Sequence, residues 1–222
     1  MKAPAFDYLR PDTLDACLAA LAELGDDAQV LAGGQSLMPM LNFRLAAPAT
    51  LIDIGHLAEL KPIRIEGDRL VVGARATHAE IAASAEVHRL LPLLAAAAPH
   101  IAHVAIRNRG TIGGSIALAD PASEWAACAL ALDAEIELAS TAGRRRVAAE
   151  DYFLGLYATD RRADELVTAI RFPIADAPLS ARFDETSRRR GDFAIAGLAM
   201  VWRGDAAALR DVRIALLGVG DR

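Results

Sequence analysis

Apolar residues first recur at helical spacing at Leu14, Leu18, Leu21 and Leu24, with Asp12 placed to cap a helix and Gly25 to end it. The short apolar run Gln29-Val30-Leu31-Ala32 then leads straight into Gly33-Gly34, which predicts a strand ending in a tight turn. A short helix follows, and Thr50-Leu51-Ile52-Asp53-Ile54 reads as the next strand. A hairpin opens the following stretch, where Ile63-Arg64-Ile65 and Arg69-Leu70-Val71-Val72 flank the turn Glu66-Gly67-Asp68. Thr77 and Glu80 form a capping box, and Leu91 to Val104 reads as helix interrupted by Pro92 and Pro99. Beyond Ile106 to Asp133, the strands predicted are Glu135 to Leu138, Arg146-Val147 and Leu166 to Phe172. Pro173 and Pro178 bracket a linker, and Arg182 to Gly218 reads as two or three antiparallel strands.

Composition narrows the function classes. Hydrophobic residues make up 54% of 222, but the longest apolar run, Leu91 to Ala98, is far too short to span a bilayer. Met1 to Pro11 lacks an apolar secretory core, so the expectation is a soluble, cytoplasmic protein. A net charge of −5 argues against nucleic acid, which needs a basic face. Arg188-Arg189-Arg190 is short and reads as a solvated or interface feature. Cys17 and Cys128, the only cysteines, sit among helical alanines and leucines as buried thiols. Two cysteines fall short of the four ligands of an iron–sulfur cluster, so metal redox chemistry is expected on another chain.

Two glycine loops carry the candidate chemistry. In Ala32-Gly33-Gly34-Gln35-Ser36-Leu37 a strand gives way to two glycines and a hydroxyl at a helix start, an arrangement that suits a phosphate. It is neither a Walker loop nor the G-x-G-x-x-G fingerprint, and a structural tight turn is the alternative. The second loop, Arg107-Asn108-Arg109-Gly110-Thr111-Ile112-Gly113-Gly114-Ser115, leads to Asp120-Pro121-Ala122-Ser123-Glu124. Asp120 is placed to cap a helix with Pro121 at its first position. Glu124, in the first turn, could accept sugar hydroxyls or merely complement the helix dipole. Two loops of like design, one per unit, point to one extended ligand such as a diphosphate dinucleotide.

No catalytic constellation is legible. Ser36 and Ser115 have no adjacent histidine, and neither loop is a G-x-S-x-G elbow. His56, His78, His88, His100 and His103 show no H-E-x-x-H pattern, and His100 and His103, three apart on the predicted helix, fall short of a zinc site. No catalytic residue and no metal ligand is expected on this chain.

The stretches Leu31-Ala32-Gly33-Gly34-Gln35-Ser36-Leu37 and Thr111-Ile112-Gly113-Gly114-Ser115, with Ala119-Asp120-Pro121 and Gly191-Asp192-Phe193-Ala194, resemble the motifs of a known family. It is the medium, FAD-binding subunit of molybdenum hydroxylases, the carbon monoxide dehydrogenase and xanthine dehydrogenase family. The resemblance runs over nearly the whole chain. It implies an α+β architecture, the vanillyl-alcohol-oxidase (PCMH)-type FAD-binding fold. Two α/β subdomains, residues 1–57 and 58–175, would clasp FAD, followed by a C-terminal antiparallel-sheet domain, residues 179–222, shorter than in the family.

Carried over residue by residue, the resemblance implies that Ala32 to Ser36, with Leu37, hold the pyrophosphate and that Thr111 to Ser115 form a second backbone cradle. It puts Asp120 beside the second motif, Glu124 at an acidic FAD ligand's place and Val167 against the flavin rings. Phe193 would sit near the isoalloxazine or pack in the core; composition does not separate the two. Asp184 and Glu185 stand where relatives often carry a basic residue, which removes charge stabilisation of reduced flavin from that strand. The implied function is electron transfer. FAD would take electrons from a small subunit with two 2Fe-2S clusters, served by a molybdenum-cofactor large subunit, within a dimer of heterotrimers. The alternative is an autonomous FAD-dependent oxidoreductase of the same fold, and a third reading makes the loops structural parts of an interaction subunit. Substrate and electron acceptor have no signature in this chain.

Overall fold

The computed structural model describes residues 2–177, 179–205 and 208–220, so Pro178, Asp221 and Arg222 lie outside the described residues. The chain begins with β1 (Asp7–Leu9), α1 (Leu14–Leu24), β2 (Ala28–Leu31), α2 (Leu37–Asn42) and β3 (Thr50–Asp53). The three strands form a parallel sheet in the order β1-β3-β2, with α1 and α2 as the connections that parallel pairing demands. Leu14, Cys17, Leu18 and Leu21 lie on one face of α1 and pack with Ile52, Ile54, Leu57 and Leu60. The cap of α1 is Thr13 and not Asp12: the Thr13 hydroxyl accepts from the Ala16 N–H at 3.2 Å. β1 has no counterpart in the sequence reading, because its three residues are all exposed and carry no alternation.

A larger unit follows: β4 (Ile63–Glu66), β5 (Arg69–Gly73), α3 (His78–Ala83), α4 (Ala85–Leu90), α5 (Pro92–Ala97), α6 (Val104–Arg107), α7 (Ile112–Leu118) and α8 (Glu124–Ala131). It is completed by β6 (Glu135–Ser140), β7 (Gly143–Ala148), α9 (Ala149–Tyr152), the small pair β8 (Phe153–Gly155) and β9 (Ala158–Thr159), and β10 (Leu166–Pro173). The antiparallel sheet runs β4-β5-β10-β6-β7. β10 is central and buried along nearly its whole length, which is why its sequence is apolar almost without alternation. The β4–β5 hairpin turns at Gly67, whose φ of 59° is the left-handed conformation glycine adopts at low cost.

The predicted capping box is present: Thr77 Oγ1 accepts from Glu80 N–H at 3.2 Å, and Glu80 Oε2 accepts from Thr77 N–H at 3.0 Å. Leu91 to Val104 is shorter as helix than its composition predicts. Pro92 starts α5, the helix ends before Pro99, and Ala102 turns left-handed at φ 42°. His100 and His103 therefore lie in the connection, not on one helix face.

The last three strands, β11 (Ser180–Thr186), β12 (Ala196–Arg203) and β13 (Arg210–Leu217), form an antiparallel sheet with β12 in the centre. Phe183, Ala199, Val201 and Leu217 of that sheet share a core with Leu94 of α5 and Cys128 of α8. The chain thus has two main cores, one under the parallel sheet and one common to the two larger antiparallel sheets.

The two glycine loops meet backbone to backbone. A Cβ built on Gly33 would lie 2.2 Å from Arg109 O and 2.9 Å from Gly110 Cα. Its φ is not positive, so space alone selects glycine there. Gly33→Ala must push the loops apart and is expected to cost about 1–3 kcal/mol, the range for overpacking a tight contact. Urea unfolding checks this, and an alanine variant as stable as the natural chain would show that the loops do not bear on one another.

Candidate cofactor-binding cleft

Where the loops meet, a cleft of about 830 Å³ opens, within the usual size range of ligand pockets. Leu31, Ala32, Gly33, Gly34, Gln35 and Met38 form one wall, and Asn108, Arg109 and Thr111 face them. Arg10, Lys61 and Arg75 complete the lining together with Asp53 and Glu80. With Arg109 that makes four basic groups against two acidic ones, in a chain whose net charge is −5. The cleft favours an anion although the protein as a whole does not.

Part of that charge is already engaged. Lys61 pairs with Glu80 at 2.7 Å, while Arg75 donates to the Leu57 carbonyl at 2.7 Å and to the carbonyl of Gly55. Arg10 donates to His56 Nδ1 at 3.1 Å, and the Tyr8 hydroxyl donates to Asp53. Arg109 is exposed and enters no ion pair or side-chain hydrogen bond among the described residues, so its charge is available to a ligand. Arg10, Lys61 and Arg75 carry no loop signature. Only the fold brings them to the glycines.

The backbone separates the two loops by role. Among the described residues, no protein acceptor takes the N–H groups of Gly33, Gly34, Gln35 or Ser36. The Gln35 amide bonds back to the Gly33 carbonyl at 3.1 Å, and the Ser36 hydroxyl makes no capping bond to α2. Of these four free donors, Gly33, Gly34 and Gln35 line the positive cleft and fit a pyrophosphate, while Ser36 and Leu37 lie outside its lining. The second motif is already spent on the fold. Ile112 N–H goes to Ala76 O at 3.1 Å, Gly113 N–H to Ala74 O at 2.9 Å, Gly114 N–H to Thr111 Oγ1 at 3.1 Å, and Ser115 N–H to Thr111 O at 3.1 Å. Gly113 is there for space, since its Cβ would lie 2.5 Å from that of Ala74. Of this motif, Thr111 alone lines the cleft.

The other expected site residues fall elsewhere. Asp120 does not cap a helix; its Oδ1 accepts from Ala122 N–H at 2.9 Å in a turn, its Oδ2 accepts from the Tyr157 hydroxyl at 3.2 Å, and α8 starts after Ser123. Pro121 accordingly sits in that turn and not in the helix. Glu124 opens α8 away from the cleft, near Asp120 and Glu185. Val167 is buried in β10 opposite Leu138. Phe193 is 77% exposed, which excludes core packing. Its loop lies over the connection before α6, with a Cβ on Gly191 falling 2.6 Å from the His103 ring. Glu185 meets His100 Nδ1 at 3.5 Å there.

Burial pushes the Glu124 carboxyl up to about 7; its own backbone N–H opposes the rise, and the charges of Glu185 and Asp120 add to it. Below pH 4.5, the ordinary value, the folded and unfolded chains both carry the proton, and this stabilising contribution is fully present. As pH rises from 4.5 through about 7 the folded chain alone retains it, so the contribution is lost. Thermal unfolding of the FAD-free chain should show Glu124→Gln gaining stability relative to the natural chain across that window and levelling above it. A difference independent of pH would contradict the assignment. Burial pushes the Cys17 thiol up to about 11, and burial, with the Glu124 charge after it, pushes Cys128 well above the ordinary thiol value.

Comparison with known proteins identifies the family. Residues 4–175 match the family described as the FAD binding domain in molybdopterin dehydrogenase. The β subunit of caffeine dehydrogenase from Pseudomonas sp. (strain CBB1) is 40% identical over 222 residues, covering 100% of this chain and 75% of that protein. The medium subunit of nicotine 6-hydroxylase from Paenarthrobacter nicotinovorans is 42% identical over 219 residues, 98% of this chain and 76% of that one. The solved carbon monoxide dehydrogenase of Hydrogenophaga pseudoflava superposes with a TM-score of 0.95 at 42% identity, over 99% of this chain and 76% of that chain. The chain belongs to the FAD-binding domain family of molybdopterin dehydrogenases, and is an FAD-binding subunit of an oxidoreductase of the molybdenum-hydroxylase type.

Proposed function

We propose that this chain is the electron-transfer subunit of a multi-subunit molybdenum hydroxylase. In that assembly a molybdenum-cofactor large subunit oxidises the substrate, and a small subunit with two 2Fe-2S clusters relays the electrons. This chain would hold the FAD that supplies the step from those clusters to an external acceptor. The complex is a dimer of such heterotrimers in the cytoplasm. The observation that carries the reading is the run of four unpaired amides, Gly33 to Ser36, of which the first three line a basic cleft with no nucleophile–base pair among its lining residues.

FAD, when bound, supplies both one-electron and two-electron redox chemistry. The residues of this chain bind and orient it. The Gly33–Ser36 amides and Arg109 would hold the pyrophosphate, Ala32 and Leu37 would frame that loop, and Thr111 would close the facing wall. Ile112 to Ser115 hold that wall in place through their bonds to Ala74, Ala76 and Thr111. Asp120, Glu124, Val167 and Phe193 serve the flavin end. Glu124, with its carboxyl near 7, can hold a proton there at neutral pH. The names of relatives range over caffeine dehydrogenase, nicotine 6-hydroxylase and carbon monoxide dehydrogenase, so this subunit type serves partners of differing substrates.

The test is a tagged purification from the native host with assays for flavin, iron and molybdenum. FAD, iron and molybdenum should arrive with two further polypeptides. FAD on a single stable polypeptide would establish the autonomous flavoenzyme instead, and a folded chain without flavin would leave the loops merely structural.

A further inference from the structure

His78 is 4% exposed and stands directly after the Thr77 cap of α3. Its backbone N–H donates to the Gly110 carbonyl at 3.0 Å, beside the Thr77–Thr111 bridge. Its ring faces two ways. Nδ1 lies 2.8 Å from Trp125 Nε1, and because an indole N–H only donates, Nδ1 must be the acceptor and the ring proton must sit on Nε2. Nε2 faces Gly110, where an added Cβ would fall 2.5 Å away. Gly110 in turn touches Gly33 on its other side. The order of contact is Gly33, Arg109-Gly110, His78, Trp125, with no side chain between the two loops.

We propose that His78 is a positioning residue for the FAD cleft, its imidazole wedged between Gly110 and Trp125 so that the Arg107–Thr111 loop is held against the first glycine loop. The inference rests on the reading of that cleft as the FAD site. It concerns a residue that does not line the cleft and acts only through Gly110. The device needs a neutral ring. A proton on Nδ1 would set two N–H donors against each other, and Trp125 would lose its acceptor in a buried place. Burial and, after it, the positive charge of Arg107 on α6 keep the ring neutral, pulling His78 down to about 4. Arg107 is itself fixed by the carbonyls of Ile101 and Ala102 at 2.8 and 2.7 Å. On the other neighbouring elements, Glu80 of α3 is engaged by Lys61 and Thr77, and Glu124 of α8 faces Asp120 and Glu185. The sign follows: the contribution of neutral His78 is complete above 6.5 and is lost as pH falls through about 4.

The experiment titrates FAD into the full-length FAD-free chain at neutral pH, for the natural protein, His78→Leu, His78→Asn, Trp125→Phe and the double variant. His78→Leu keeps bulk without an acceptor and should weaken FAD binding roughly tenfold, the scale of one lost buried hydrogen bond. Trp125→Phe should weaken it similarly, and the double variant no more than either alone. His78→Asn presents an acceptor at the Nδ1 position without titrating. It should recover most of the affinity and lack the acid loss of FAD that the natural chain shows. Natural affinity in His78→Leu, or losses that add in the double variant, would overturn the proposal. So would an acid loss unchanged in His78→Asn. If His78→Leu fails to fold, His78→Asn and Trp125→Phe carry the test. A natural chain that binds no FAD would sink the cleft reading itself, while the His78–Trp125 coupling would still be read by the same cycle in urea unfolding.

Discussion

The contact on which the site depends is one of backbone on backbone, Gly33 against Arg109 and Gly110. The first loop belongs to the parallel sheet and its own core, the second to the core shared by the two larger antiparallel sheets. Elsewhere such units meet through side chains, which can repack when a neighbour changes. Here neither loop has a side chain at the contact, so the separation of the units is set by atoms that cannot change rotamer. The cleft's width follows from that separation. On one side it presents unpaired amides, and on the other a wall whose amides are consumed by Ala74, Ala76 and Thr111.

This division of labour explains why two motifs that look alike do different physical work. Gly33 and Gly34 free the backbone from side-chain cover and from regular hydrogen bonding, and Gly34 adopts a positive φ of 70°. Gly113 lies in the first turn of α7 and lets that helix approach Ala74. One glycine pair makes donors available, and the other lets a wall stand close. Electrostatics completes the site: basic groups gather at the cleft, whereas the buried carboxyls Glu124 and Glu185 gather at the junction with the last sheet.

Much of this was legible in the sequence wherever periodicity or turn chemistry acts locally. The leucines of α1, the Glu66-Gly67-Asp68 hairpin, the Thr77–Glu80 box and the buried run of β10 all formed as their patterns require. What escaped was non-local. β1 exists only because β3 pairs with it, and its exposed residues carry no signal. Asp120 and Asp12 were expected to cap helices, but Ser123 and Thr13 lie one to three residues nearer the first turns and take those places. The basic lining from Arg10, Lys61 and Arg75 comes from three separate segments. His78 reads in sequence as one isolated histidine, and only its neighbours Gly110 and Trp125 show its use.

On this reading the first loop offers its amides to FAD while the second serves as a fixed wall. Amide hydrogen exchange on the full chain, with and without FAD, reads both loops in one experiment. Exchange at Gly33 to Ser36 should be fast in the free chain and slow strongly with FAD, while Ile112 to Ser115 exchange slowly in both states. Protection gained at Ile112 to Ser115, with none at Gly33 to Ser36, would contradict it.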